Sequence, residues 1–144
     1  MTAAIELAEA AARMGEVPVG AVLVDGDSGE VLAATHNRML ADHDPTAHAE
    51  MLALRLAARD KGEIRLTRCD LYVTLEPCPM CAAALALARV RRIYFGAYDP
   101  KGGGIEHGPR IFAQPTCNHR PEVYGGISED ICAAQLRAFF AARR

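Results

Sequence analysis

A chain of 144 residues, 51% of them hydrophobic, is long enough to bury one core and short for two, so residues 1–144 are expected to form one domain. A net charge of −2, from 16 basic and 18 acidic groups, excludes binding to nucleic acid through bulk positive charge, although residues 1–72 carry net −5 and residues 73–144 net +3. Five cysteines, a start at Met1-Thr2-Ala3 with no basic leader and no apolar run of bilayer length argue against a secreted disulfide scaffold and a membrane span, so a cytoplasmic location is expected.

Taken in chain order, residues 2–14 have the Ala/Leu-rich composition of a helix that stops at Gly15. The apolar, β-branched stretch Val17 to Val24 predicts a buried strand. Asp25-Gly26-Asp27-Ser28-Gly29 is a turn from which Val31 to Thr35 pairs back as a hairpin. Asp44-Pro45-Thr46 opens a helix from about Ala47 to Arg59. Asp70 to Thr74 is a short strand, Pro77 or Pro79 starts a helix running to about Ala88, and Arg92 to Gly96 is another strand. Residues 99–121 form a long Gly- and Pro-rich loop, and Ser128, followed by Glu129 and Asp130, is a suitable N-cap for a last helix to about Ala142. The order helix, hairpin, helix, strand, helix, strand, helix predicts an α/β layered domain with a mixed sheet.

Two segments carry chemistry. His48-Ala49-Glu50 and Pro77-Cys78-Pro79-Met80-Cys81 both fall at predicted helix starts. Cys78 and Cys81 are three apart, so they meet in a first turn, where a helix N-terminus favours the thiolate form that binds zinc. His48 and Glu50 are two apart and turn by ~200° in a regular helix, yet at its first turn both can point toward the mouth. His48, Cys78 and Cys81 then offer three ligands to one Zn2+, one short of a closed structural site, with Glu50 beside the remaining position. His-x-Glu followed by Pro-Cys-x-x-Cys is the signature of zinc deaminases acting on nucleobases. The competing arrangement is a closed site completed by Cys69, Cys117 or His119.

The segments 44–50 and Leu71-Tyr72-Val73-Thr74-Leu75-Glu76 with Pro77 to Cys81 closely resemble the bacterial tRNA-specific adenosine deaminases of the cytidine-deaminase-like superfamily. The likeness extends to 16–24, Phe95-Gly96-Ala97, Asn118-His119-Arg120 and Phe139 to Arg144. It implies a three-layer α/β/α cytidine-deaminase-like fold with a five-stranded mixed sheet, one Zn2+ per subunit and a homodimer. It also implies hydrolysis of adenosine to inosine at the tRNA wobble position, with Glu50 as proton carrier. By the same resemblance Asn37 and the Ala49 N–H face the target base, Asp99 and Lys101 lie near the anticodon loop, and Phe139 and Phe140 cover a splayed base.

From the residues alone, Asn37 is a turn residue, the two phenylalanines are the apolar face of a helix, and Arg89, Arg91 and Arg92 are solvated ends or an RNA contact. Gly102-Gly103-Gly104 lacks the Lys-Ser/Thr of a phosphate loop and reads as flexibility. Tyr98 and the segment Glu106 to Arg110 depart from the family pattern, Tyr98 where a basic residue is expected. A deaminase of a free nucleobase or nucleoside, such as guanine or cytosine, shares the whole zinc site. A zinc-stabilised RNA-binding module without activity would leave Glu50 without a purpose.

Overall fold

The computed structural model describes residues 1–144 and places five strands in one sheet between two helical layers. In chain order the elements are α1 (Thr2–Arg13), β1 (Gly20–Asp25), β2 (Val31–His36), α2 (Ala49–Lys61), β3 (Cys69–Leu75), α3 (Pro79–Leu87), β4 (Arg92–Ala97), β5 (Glu122–Tyr124) and α4 (Glu129–Ala141). The sheet order is β2-β1-β3-β4-β5; β1 is antiparallel to β2 and β3, whereas β3, β4 and β5 run parallel. This is the three-layer fold with the five-stranded mixed sheet expected above.

Alternation along the strands separates the two faces. Ala21, Leu23, Leu71, Val73, Ile93 and Phe95 point into the main core, which α2 and α3 cover with Ala53, Leu54, Ala82 and Leu85. On the other face lie Gly20, Thr74 and Gly96, against α1 and α4. Gly20 lets α1 approach so closely that an added Cβ would stand 2.0 Å from the Ala4 carbonyl oxygen. Gly96 does the same for α4, where a Cβ would meet Cys132 Sγ at 2.4 Å. Farther along this face Tyr72, Tyr94 and Tyr124 stack across β3, β4 and β5 at centroid separations of 4.6 and 5.0 Å.

Several boundaries differ from the sequence-based expectation for identifiable reasons. β1 starts at Gly20 rather than Val17, because Pro18 has no N–H and Val19 N–H folds back to the Val17 carbonyl. α2 starts at Ala49 rather than Ala47, because His48 is extended at φ −74°, ψ 149°, and it runs on to Lys61, where Gly62 at φ 67° ends it. β5 begins just after the segment read as loop, 99–121, and is not expected from the residues; it is only three residues long and an edge strand. Ser128 precedes α4 as expected but adopts a left-handed conformation at φ 54° and makes no side-chain cap.

Strands β2, β3 and β4 all point their carboxyl ends to the same edge of the sheet. Asn37 follows β2 there, Glu76-Pro77-Cys78 follows β3 and Tyr98-Asp99 follows β4. Ligand sites in open α/β sheets gather at such edges.

Candidate active site

His48 and Cys78 occupy equivalent positions on two helices. Each is the extended N-cap residue, at φ −74° before α2 and φ −67° before α3, and neither side chain caps its helix. Leaving the helical register is what lets His48 and Glu50 point the same way although they are only two residues apart. Pro79 fixes the first position of α3, and Cys81 follows in its first turn. The two helix mouths converge so that the ligating atoms of His48, Cys78 and Cys81 all lie within 4.8 Å of one another.

The donor set fits zinc in kind and in spacing. Tetrahedral zinc, with bonds of ~2.3 Å to sulfur and ~2.0–2.1 Å to nitrogen, holds its nitrogen and sulfur ligands about 3.6 Å apart. His48 Nδ1 lies 3.6 Å from Cys78 Sγ and 3.6 Å from Cys81 Sγ. Cys78 has the thiolate character a ligand needs. Its pKa is lowered to about 4, chiefly by the Cys81 thiol donating to it, while Cys81 is pushed up by that same donation and by burial. The His48 pKa is raised by its partnership with Cys78.

The alternative fourth ligands are elsewhere. Cys69 is buried at the opposite end of β3, Cys117 donates to the His119 carbonyl, and His119 Nε2 lies 2.7 Å from the Val90 carbonyl oxygen. The metal group therefore has three protein members, and the closed-site arrangement is set aside.

Glu50, in the first turn of α2, is buried beside this group, 4% exposed. Burial raises its pKa to about 7, and the negative charge on Cys78 adds to that effect. A carboxylate poised near neutrality is suited to exchanging protons at physiological pH.

Asn37 and Ala49 meet each other: the Ala49 N–H donates to Asn37 Oδ1 at 2.9 Å. Asn37 is buried, 5% exposed, and this bond fixes its amide orientation, so the Nδ2 donors face away from Ala49. The loop from Arg38 to Asp44, which leads from Asn37 toward His48, is held by a residue that no motif singles out. Buried Glu16 accepts the N–H groups of Leu40 and Ala41 at 2.8 and 2.9 Å.

Asp99 and Lys101 lie where β4 ends. The Asp99 carboxylate takes the Lys101 and Gly102 N–H groups at 3.2 and 2.9 Å, and Lys101 is exposed. The glycine triplet is not a flexible spacer. A Cβ on Gly103 would stand 2.5 Å from the Glu76 carboxyl and one on Gly104 2.5 Å from Pro79 N, so these residues are needed for close approach. Glu76 carries its own counterweight to burial. Desolvation pushes it up, but the N–H groups of Asp99, Glu106 and His107 and the His107 ring outweigh that and hold its carboxyl below the usual range. A carboxylate closing an apolar strand must find partners, and that was the only sequence signal for this cluster.

Phe139 is buried, edge-on to Phe140, with the Arg143 guanidinium 3.4 Å from its ring centre, in a cavity of about 300 Å³ shared with Glu9, Ala12 and Pro18 around α1. Phe140 is exposed. The arginine cluster lies at the other edge of the sheet. Arg91 pairs with Asp70 and Asp27, Arg92 pairs with Glu122, and Arg92 stands opposite Asp70 in register. From there to the end of β3 is about 17 Å at ~3.3 Å per residue, so Arg91 and Arg92 are ion-pair partners remote from the metal group, whereas Arg89, left-handed at φ 60°, pairs with no carboxylate.

A mixed α/β/α sandwich that brings a histidine, two cysteines and a buried glutamate to its strand ends defines a class, the zinc-dependent hydrolases that deaminate nucleobases. The model of the cytidine and deoxycytidylate deaminase zinc-binding region matches residues 1–97. Over 144 residues the chain is 51% identical to a tRNA-specific adenosine deaminase of Agrobacterium fabrum, covering all of this chain and 93% of that protein. A Bacillus subtilis protein of the same name is 46% identical, over 97% of this chain and 86% of its own length. Among solved structures, one from a study of A-to-I editing by tRNA:A34 deaminases superimposes with a TM-score of 0.91 at 51% identity, covering 94% of this chain and 97% of that one. The guanine deaminase of Nitrosomonas europaea shares the fold at a TM-score of 0.78 and 26% identity, over 96% of this chain and 81% of its own. The chain belongs to the zinc-binding cytidine and deoxycytidylate deaminase family, in the branch of the tRNA-specific adenosine deaminases.

Proposed function

We propose that this zinc-dependent deaminase converts adenosine to inosine at the wobble position of a tRNA anticodon. The observation that carries this reading is the 51% identity, over the full chain, to a tRNA-specific adenosine deaminase, around an intact set of His48, Glu50, Cys78 and Cys81. Likeness to the guanine deaminase is half as strong in identity and supports the shared fold and zinc chemistry.

His48, Cys78 and Cys81 would hold the ion. Zinc bound there supplies Lewis acidity, enough to bring the pKa of a water from ~15.7 to ~7. Glu50 takes a proton from the attacking water and delivers it to the adenine ring nitrogen N1. It then carries the second proton to the exocyclic amine, which leaves as ammonia while the water oxygen stays on C6. Asn37, its Oδ1 held by Ala49, presents its Nδ2 donors to the base. Asp99, Lys101 and Phe140 are proposed to meet the RNA strand at the rim, with Phe139 supporting Phe140 from below.

A second copy of the chain is proposed to cover α3. Pro79–Leu87 is apolar on every side, and only Cys81, Ala82, Leu85 and Ala86 are buried. Ile64 and Leu87 are 85% and 79% exposed and, with Leu54, Ala58 and Ala84, line a groove of about 530 Å³. No helix is long and apolar enough to cross a membrane, and a tRNA substrate agrees with a cytoplasmic location.

The test is a substrate panel with the zinc-loaded protein. Inosine in an anticodon stem-loop RNA, with ammonia released in equal amount, is expected. Ammonia from free guanine or cytosine with none from the RNA would replace this reading by the free-base one.

A further inference from the structure

β3 ends at Leu75, and the next side chain is a carboxylate that the reaction does not use. The Glu76 side chain is 0% exposed and accepts five hydrogen bonds, all from one loop. Oε1 receives the N–H groups of Ile105, Glu106 and His107 at 3.3, 2.8 and 3.0 Å. Oε2 receives the Asp99 N–H at 2.9 Å and lies 2.9 Å from His107 Nδ1. No other carboxylate in the molecule gathers so many backbone donors from so short a segment.

The same loop rests on the metal-binding turn. The Gly104 N–H donates to the Pro77 carbonyl at 2.8 Å, and Gly104 lies so close to Cys78 and Pro79 that a Cβ there would be 2.8 and 2.5 Å from their backbones. Gly103 is equally tight against Glu76. Glu76 and the loop thus form one unit packed on the residue that supplies the first thiolate. Asp99 and Lys101, the rim residues of the reading above, begin that loop.

We propose that Glu76 is a positioning residue. It fixes segment 99–107 on Pro77-Cys78-Pro79, so that the rim of the substrate site beside Cys78 is ordered before substrate arrives. This rests on the deaminase reading above and adds to it a determinant of substrate affinity. If the loop were released, only the ordered fraction would bind, and the apparent dissociation constant would rise by the inverse of that fraction. At saturating substrate the loop is ordered again, so the effect falls on KM and spares kcat.

The experiment compares zinc-loaded wild type, Glu76→Gln and His107→Ala for zinc content, kcat and KM on the anticodon stem-loop. The amide of Glu76→Gln presents N–H groups where backbone N–H groups already point, whereas His107→Ala removes one of the five donors. The expected result is unchanged zinc content, kcat within a few-fold, and KM raised by about tenfold or more for Glu76→Gln and less for His107→Ala. An unchanged KM with a lowered Tm would reduce Glu76 to a fold-stabilising group and overturn the proposal. Loss of zinc would do the same, by assigning it to the metal site. Should Glu76→Gln fail to fold, Gly103→Ala, whose Cβ intrudes between the loop and the carboxyl, carries the test together with His107→Ala. Failure of the wild type on RNA would sink the tRNA reading alone, and the same KM comparison then applies with the free base that is turned over.

Discussion

Asn37 is a polar residue outside the metal group for which a contact to the base is proposed. Its Oδ1 is committed to the Ala49 N–H in a buried setting. Asn37→Ala leaves that N–H without an acceptor, at about 1–3 kcal/mol for a buried donor. We expect a lowered Tm, full zinc occupancy and a raised KM for the RNA; an unchanged KM would remove Asn37 from the substrate contacts. Asp44 shapes the entrance to α2 differently. The Thr46 hydroxyl, and then its N–H, hold the Asp44 carboxyl below its ordinary 3.8. A depressed folded-state pKa contributes stability that is complete above that ordinary value and is lost as pH falls through the folded value. Wild type should therefore exceed Asp44→Ala in Tm at pH 7, and the gap should narrow below about pH 4. A gap that is constant down to pH 2 would contradict this account.

At the scale of elements, the approach of α1 and α4 to the sheet is set by two glycines. Gly96→Ala drives a methyl group into Cys132 and the Thr74 carbonyl, where a Cβ would stand at 2.4 and 2.6 Å. Overpacking of this kind costs about 1–3 kcal/mol, so thermal unfolding should show a Tm several degrees lower. A variant as stable as wild type would mean that α4 shifts freely. Elements with strong local signals were readable from sequence, such as the Ala-rich α1 and the β-branched β1. β5 was not, because three residues of an edge strand carry no periodicity and gain their conformation from pairing with Arg92, Ile93 and Tyr94. The metal group was readable, because its donors are rare residue types at fixed spacing around helix starts. The anchors Glu16 and Glu76 were not, since their partners lie 24–25 and 23–31 residues away and, the His107 ring apart, are backbone N–H groups, which no side-chain pattern reveals.

For the whole molecule, the arrangement gives each edge of the sheet a different task. The carboxyl edge holds the chemistry, and the opposite edge is closed by Arg91 and Arg92 in ion pairs with Asp70, Asp27 and Glu122. The apolar face of α3 is the surface proposed for a second copy. Leu87→Glu should convert a dimer into a monomer in sedimentation at equal protein concentration, and a monomeric wild type would contradict the proposed pairing. The most direct test of the central claim, a three-ligand zinc served by one proton carrier, is turnover of the anticodon stem-loop by Glu50→Gln at measured zinc content. The account predicts one zinc per chain in both proteins and a rate lowered by roughly 10²–10⁴-fold in the variant. Turnover equal to wild type, or active protein without zinc, would contradict it.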